Sequence, residues 1–94
     1  MKTIKELLRD QNATVVDVRS EEEFNLSHHP GAINIPLDQV QQRADELGSM
    51  SKPLILYCRS GNRSGIAQAI LKQLGVLEVY NGGGLEDMAQ SLKN

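Results

Sequence analysis

Hydrophobic positions along the chain switch repeatedly between helical and extended spacing. Ile4, Leu7 and Leu8 recur at helical spacing, whereas the apolar segment that follows, 13–18 (ATVVDV), is short and rich in β-branched residues. The run 54–57 (LILY) is continuously apolar, which is typical of a strand covered on both faces. The pattern therefore predicts a helix near the start of the chain and buried strands at 13–18 and 54–57.

Residues that start and stop helices support the same alternation. Ser20 is followed three positions later by Glu23, a capping box that predicts the start of a short helix. Residues 32–35 are predicted to form a brief strand. Apolar steps of three and four residues across 37–47 predict one continuous helix, which Gly48 closes.

The second half of the chain continues this order. A strong helix is predicted from Ser64, with Gly75 just after its end. Its apolar face is predicted to consist of Ile66, Ala67, Ile70, Leu71 and Leu74. Residues 76–80 are predicted to form a strand, glycines 82–84 a turn, and residues 85–92 a last helix.

Strands that alternate with helices along the whole chain predict an α/β fold with a mainly parallel central sheet and helices on both faces. The 94 residues suffice for one domain, so we predict a single domain over 1–94. Ligands of such sheets bind beyond the carboxyl ends of the strands, and Cys58 directly follows the run 54–57.

Composition and charge exclude several classes of partner. Ten basic and twelve acidic residues give a net charge of −2, and aromatic residues make up 3% of the chain, so nucleic-acid binding is not expected. No apolar run is long enough for a membrane span. The charged, amphipathic segment 1–11 does not resemble a signal peptide, which predicts a cytoplasmic protein, or a periplasmic one if a signal peptide has been removed. The oligomeric state stays open.

Cys58 is the single cysteine, which excludes an internal disulfide and a multi-cysteine zinc site. The two histidines, His28 and His29, are adjacent and lack the spacing of a zinc module, so no metal site is predicted.

The candidate site is the segment that begins at Cys58. The residues after the cysteine are small, polar or basic: Arg59, Ser60, Gly61, Asn62, Arg63 and Ser64. A loop of this kind, at the start of a helix, can turn successive N–H groups inward and bind negative charge. The same surroundings lower the pKa of a thiol. We therefore interpret Cys58 as an activated nucleophile, the alternative being an inert, buried cysteine.

The segment CRSGNRS (Cys58–Ser64) resembles the six-residue active loop of the rhodanese-like domain family together with the small hydroxyl residue that follows it. VVDVRSEEEF (Val15–Phe24) is similar to the first strand and acidic helix of that family, HHPGAINIP (His28–Pro36) to its second signature, and NGGGLEDM (Asn81–Met88) to its double-glycine turn. The similarity covers nearly the whole chain. It is closest in kind to small single-domain bacterial sulfurtransferases, and the form YCRSGNRSG is similar to the phage-shock-type rhodaneses.

Three positions depart from the family pattern. Met88 stands where tryptophan is common, Ser27 where glycine is usual, and His29 where an aliphatic residue is usual. We expect these departures to alter surface packing rather than chemistry.

The resemblance implies a thiosulfate sulfurtransferase that works by covalent catalysis. Cys58 would take a sulfane sulfur from a donor such as thiosulfate, become a persulfide, and pass the sulfur to cyanide or a thiol. The loop amides would stabilise the persulfide, and Arg59 and Arg63 would attract the anionic donor. No cofactor is implied, and the partners are a small-molecule sulfur donor and acceptor.

Two other functions are compatible with this sequence. A cysteine-dependent phosphatase or arsenate reductase has a related loop, but Arg63 lies five positions after Cys58, one fewer than the C-x5-R spacing of those phosphatases. A non-enzymatic binding or regulatory module could keep the fold.

Asp17 and Arg19 resemble the acid–arginine strand end of the family, where an ion pair that braces the fold explains them as well. His28 is a candidate general base, although the matching family position looks structural.

Overall fold

The computed structural model describes residues 2–93. Within them, four short strands alternate with six helices. The elements are α1 (Ile4–Leu8), β1 (Thr14–Asp17), α2 (Glu21–Leu26), β2 (Ile33–Asn34), α3 (Leu37–Val40), α4 (Ala44–Gly48), β3 (Leu54–Cys58), α5 (Asn62–Gln73), β4 (Val79–Gly84) and α6 (Leu85–Leu92). None of the helices in this part of the chain is long and apolar enough to span a membrane.

The four strands form one parallel sheet in the order β2-β1-β3-β4. Val16 of β1 pairs with Ile33 of β2 on one side and with Leu56 of β3 on the other. The prediction of an α/β fold with a parallel sheet is therefore confirmed, as are strands within 13–18 and 32–35 and a strand at 54–57, which extends to Cys58.

Helices cover both faces of this sheet because the side chains of β3 alternate between two cores. Leu54, Leu56 and Cys58 belong to the core shared with α3, α4 and α5. Ile55 and Tyr57 belong to the smaller core shared with α1 and α6. All five β3 side chains are buried, which explains why this strand has no charged position and is almost entirely apolar in sequence.

Two boundaries before β3 can be compared with their predictions. The helix at Ser20 begins as predicted, since the Ser20 and Glu23 side chains bond reciprocally to each other's backbone N–H. The prediction of one continuous helix over 37–47 is wrong: turns separate α3 from α4, and Arg43 lies at φ −103° and ψ 21°, outside the helical region. The apolar spacing survives this break because both short helices pack on the same core.

The prediction of a strand at 76–80 followed by a glycine turn at 82–84 is wrong, because β4 runs from Val79 to Gly84 and contains the glycines. Gly84 pairs with Cys58 across the sheet, and a Cβ there would collide with the carbonyl oxygen of Arg59. A Cβ at Gly82 would lie 2.5 Å from the sulfur of Met88. These glycines permit close packing, whereas sequence reasoning treated them as turn formers.

The long helix α5 also departs from its prediction. It begins at Asn62, two residues before Ser64, and Ile66 and Leu74 are exposed instead of forming part of its buried face. Gly75 follows the helix with φ +95°, as predicted. The last helix, α6, agrees with the predicted 85–92.

Two of the departures from the family pattern are not on the surface. Met88 is fully buried in the smaller core, and His29 is 5% exposed. The expectation that they alter surface packing is therefore wrong, because both fill interior space.

Candidate active site

Cys58 is the last residue of β3, and the short loop 59–61 connects it to α5. Cys58 therefore lies at the carboxyl end of an inner strand of the sheet, and it is 1% exposed. The Gly61 amide donates a hydrogen bond to Sγ at 3.0 Å, and the Ser64 hydroxyl lies 3.4 Å from the same sulfur. The thiol therefore sits against the first turn of α5.

The Cys58 sulfur takes the place of a capping side chain for α5. The N-cap residue is Gly61, at φ +98°, and it makes no side-chain capping bond. The first N–H groups of a helix have no partner within it and need an acceptor. Here Sγ is such an acceptor, and this arrangement favours a negatively charged sulfur because the helix N-terminus carries partial positive charge.

Two opposing effects determine the pKa of Cys58. Burial raises the pKa of the thiol, whereas hydrogen bonds from the Ser64 hydroxyl and from the amides of Ser64, Ser60 and Gly61 lower it. The hydrogen bonds outweigh burial and bring the pKa to about 7. A large fraction of the sulfur is then thiolate near neutral pH, the form that acts as a nucleophile.

Arg63, in the first turn of α5, is already paired. Its Nη1 and Nη2 donate to Oε1 and Oε2 of Glu23 at 2.7 and 3.0 Å. This bond lowers the pKa of Glu23 to about 2. The arrangement joins the first turns of α2 and α5 and leaves the Arg63 charge largely compensated.

The other residues predicted for the site lie at its surface. The side chains of Arg59, Ser60 and Asn62 are exposed. Arg59 forms no salt bridge within residues 2–93. It borders a cleft of about 320 Å³ whose other lining residues are Arg19, Glu23, Leu26, Ser27 and Leu85. Of the two loop arginines, Arg59 is therefore the one whose charge is available to a ligand.

Asn81 was missed by sequence reasoning, although it makes three hydrogen bonds to the loop region. Its Oδ1 accepts from the Ser64 hydroxyl at 2.7 Å and from the Gly83 amide at 2.9 Å, and its Nδ2 donates to the Gly61 carbonyl at 3.0 Å. An asparagine before glycines is typical of a turn, which hid this role. The residue in fact lies in β4, beside the loop.

A buried polar network stands at the end of β1. Arg19 Nε lies 3.0 Å from both carboxylate oxygens of Asp17, and Nη2 donates to Oδ2 at 2.7 Å and to the Ser27 carbonyl at 2.6 Å. The Tyr57 hydroxyl donates to Asp17 at 2.6 Å. Burial, with the bond to Asp17, raises the pKa of Tyr57 to about 12. The bracing role considered for Asp17 and Arg19 fits this geometry, and Tyr57 is a member that sequence reasoning missed.

The two histidines connect loop 27–32 to its surroundings. The His28 ring stacks on Phe24 at 3.8 Å and its Nδ1 lies 2.9 Å from the Phe24 carbonyl oxygen, so the ring is anchored to α2. The backbone amide of His29 donates to the Tyr57 hydroxyl at 2.9 Å, and burial lowers the pKa of its imidazole. Within residues 2–93, no three His, Cys, Asp or Glu side chains gather closely enough to hold a metal ion.

Comparisons with known proteins point to one family. The model of the family described as the rhodanese-like domain matches residues 1–90. The chain is 41% identical over 75 residues to the thiosulfate sulfurtransferase PspE of Escherichia coli, an alignment covering 79% of this chain and 72% of that protein. It is 44% identical to the Bacillus subtilis protein YqhL over 76% of this chain, but spans only 56% of that relative.

A solved structure agrees with these relatives. A rhodanese from Escherichia coli, solved with anions, superposes with a TM-score of 0.72 at 39% identity, covering 80% of this chain and 89% of that one.

Proposed function

Because the chain belongs to the rhodanese-like domain family, we propose that it is a thiosulfate sulfurtransferase. It would move a sulfane sulfur from thiosulfate or a similar donor to cyanide or a thiol through a persulfide on Cys58. The observation that carries the proposal is the position of Sγ, which accepts from the Gly61 amide at 3.0 Å at the N-terminus of α5. The same surroundings that favour a thiolate would favour the charge of a persulfide.

In the first half-reaction, the Cys58 thiolate attacks the outer sulfur of thiosulfate. A bond forms between Sγ and that sulfur, while the S–S bond of thiosulfate breaks and its electron pair leaves with sulfite. The product is a persulfide with one negative charge on its outer sulfur. No external oxidant or reductant takes part.

In the second half-reaction, a nucleophile removes the outer sulfur. Cyanide attacks it, the bond to Sγ breaks, and thiocyanate leaves while the electron pair returns to the Cys58 thiolate. A thiolate acceptor would react in the same way and leave as a persulfide. The enzyme therefore alternates between two stable forms, as in ping-pong catalysis.

The loop residues have distinct roles in this proposal. The amides of Ser60, Gly61 and Ser64 stabilise negative charge on sulfur. Arg59, exposed beside the cleft, attracts the anionic donor, whereas Arg63 acts mainly through its pair with Glu23. Asn62 begins α5 and contributes backbone to the same turn.

Intact-mass spectrometry tests the proposal directly. After incubation with thiosulfate, the protein is expected to gain one sulfur atom, and cyanide should remove it as thiocyanate. Cys58→Ser should gain none. An aryl phosphate assay run in parallel separates the alternatives: Cys58-dependent phosphate release without a sulfur adduct would indicate a phosphatase. Neither activity would indicate a binding module.

A further inference from the structure

The Ser64 hydroxyl faces two acceptors with a single proton. Its Oγ lies 2.7 Å from Asn81 Oδ1 and 3.4 Å from Cys58 Sγ. A hydroxyl donates one hydrogen bond at a time, so it can serve only one of these acceptors fully. The two acceptors therefore compete for it.

The orientation of the Asn81 amide is fixed by its other two bonds. The Gly83 amide can only donate, and it meets Oδ1 at 2.9 Å, while the Gly61 carbonyl can only accept, and it meets Nδ2 at 3.0 Å. A flipped amide would place like groups against each other at both positions. Asn81 thus presents an oxygen to Ser64 and cannot donate to its hydroxyl.

We propose that Asn81 is a positioning residue of this site, whose Oδ1 competes with Cys58 Sγ for the hydroxyl proton of Ser64. While Cys58 is a neutral thiol, the hydroxyl points to Asn81, because the amide oxygen is the stronger and nearer acceptor. When the sulfur becomes negative, the hydroxyl turns toward it, since bonds to charged acceptors are stronger. Its part in turnover rests on the proposed sulfur transfer, whereas the competition itself does not.

The competition limits how far Ser64 lowers the pKa of Cys58. A hydroxyl that must leave Asn81 in order to serve the sulfur gives a smaller net stabilisation than an uncommitted one. Replacing Asn81 should therefore lower the pKa of Cys58 through Ser64. The same replacement removes the bonds to Gly61 and Gly83 and so loosens the loop. Any effect of this loosening on the pKa of Cys58 should be the same whether or not Ser64 is present.

Charged and titratable groups surround the loop on several elements. They are Arg59 and Arg63, the Glu23 partner of Arg63, the Asp17–Arg19 pair with Tyr57, and Asp87, which accepts from the Gly84 amide. Within the described residues, none of these side chains is hydrogen-bonded to that of Asn81. Their effect on the pKa of Cys58 should therefore be the same in all the variants compared below.

A double-mutant cycle separates the two effects. The pH dependence of iodoacetamide alkylation is measured for wild type, Asn81→Ala, Ser64→Ala and the double variant; the single cysteine makes the signal specific. With Ser64 present, Asn81→Ala should lower the pH of the inflection by about 0.5 unit more than the same replacement does in the Ser64→Ala background. Equal shifts in both backgrounds, or a difference of opposite sign, would overturn the proposal.

Asn81→Asp gives an independent test of opposite sign. A carboxylate at the Oδ1 position holds the hydroxyl more firmly, so the inflection should rise more with Ser64 present than in its absence. A rise of the same size in both backgrounds would mean that charge alone acts, and would contradict the proposal. Thermal unfolding establishes which variants are folded, and either cycle decides the question if the other variant fails to fold.

Gln68→Ala is the matched control. Gln68 is a half-buried amide on α5 whose Nε2 donates to the Val79 carbonyl in β4 at 3.0 Å, without contacting Ser64 through a hydrogen bond. Its loss should leave the inflection unchanged; an equal shift would mean that any weakening of α5 against β4 suffices, and would overturn the proposal. Alkylation needs no sulfur donor, so this result stands apart from the outcome of the sulfur-transfer assay.

Discussion

Arg63 and Glu23 are 40 positions apart in the sequence and are joined by two hydrogen bonds of 2.7 and 3.0 Å. Glu23 also accepts from the Ser20 amide and hydroxyl at 3.2 and 3.0 Å, which completes the capping box of α2. One carboxylate thus ties the start of α2 to the first turn of the helix that carries the candidate site. Arg63 therefore holds the two helices together in addition to carrying charge.

Replacing Arg63 with Ala should lower kcat/KM for thiosulfate by about tenfold, because the unpaired Glu23 carboxylate would then repel the anionic donor. Arg43→Ala is the matched control, since Arg43 also contacts a glutamate, Glu46, through two bonds of 2.9 Å, but lies at the start of α4. Steady-state thiocyanate formation measures both. An equal loss of kcat/KM in the two variants would mean that Arg63 contributes no more to the reaction than an arginine remote from the site.

The same ion pair predicts how stability depends on acid. The Arg63 bond holds the pKa of Glu23 at about 2 in the folded chain, against an ordinary value of 4.5. The stabilisation is therefore complete above the ordinary value and is lost as the pH falls through about 2. Solvent screening of this half-exposed pair limits it to about 1 kcal/mol.

Urea unfolding at several acidic pH values tests this prediction. Arg63→Ala should lose about 1 kcal/mol at pH 6 but little at pH 2, so its curve is flatter than that of wild type. Arg59→Ala removes an exposed arginine of the loop 59–61, and its free energy of unfolding should depend on pH in the same way as that of wild type. A constant difference between Arg63→Ala and wild type at all pH values would contradict the role of Glu23 ionisation.

Alkylation of Cys58 should show an inflection near pH 7 in the folded protein. The same protein in denaturing urea should titrate near the ordinary thiol value of about 8.5, because the loop amides and Ser64 no longer donate to sulfur. Sulfur uptake from thiosulfate should rise with pH along the native curve. A native inflection at or above the denatured one would remove the basis for an activated cysteine.

Gly61→Ala should abolish most sulfur uptake, because a Cβ at φ +98° strains the loop and would lie 3.3 Å from the Gly83 backbone. Gly75→Ala imposes a similar strain at φ +95° but has open space around its Cβ at the far end of α5. Both variants should lose about 1 kcal/mol of stability, and only Gly61→Ala should lose activity. Full uptake by a folded Gly61→Ala protein would argue against a cradle of amides.

Much of the fold could be predicted because its signals are local. The Ser20 capping box needs only Glu23 three positions away, and the apolar run 54–57 reports directly that β3 is covered on both faces. The position of Cys58 at the carboxyl end of a strand follows from the apolar run alone. Periodicity failed at 37–47 because it records which side of the chain is buried, whereas the backbone leaves the helix at Arg43.

The rest of the site depends on partners that are distant in sequence. Asn81 reaches Gly61 and Ser64 only because β4 pairs in parallel with β3. Tyr57 reaches Asp17, 40 positions away, across the neighbouring strand. Neither side chain carries a local signal of its role, and the glycines of β4 are informative only when their neighbours are known.

Cys58 lies at the end of β3, which has a hydrogen-bonded strand on each side and helices on both faces. Amide protons in such a strand exchange with solvent through cooperative opening of the whole domain, whereas those of exposed loops exchange through local fluctuations. The amides of Leu54–Tyr57 should therefore be among the slowest to exchange. Cys58 is thus expected to be attached to a segment that opens only with the whole domain, next to an exposed loop that fluctuates locally.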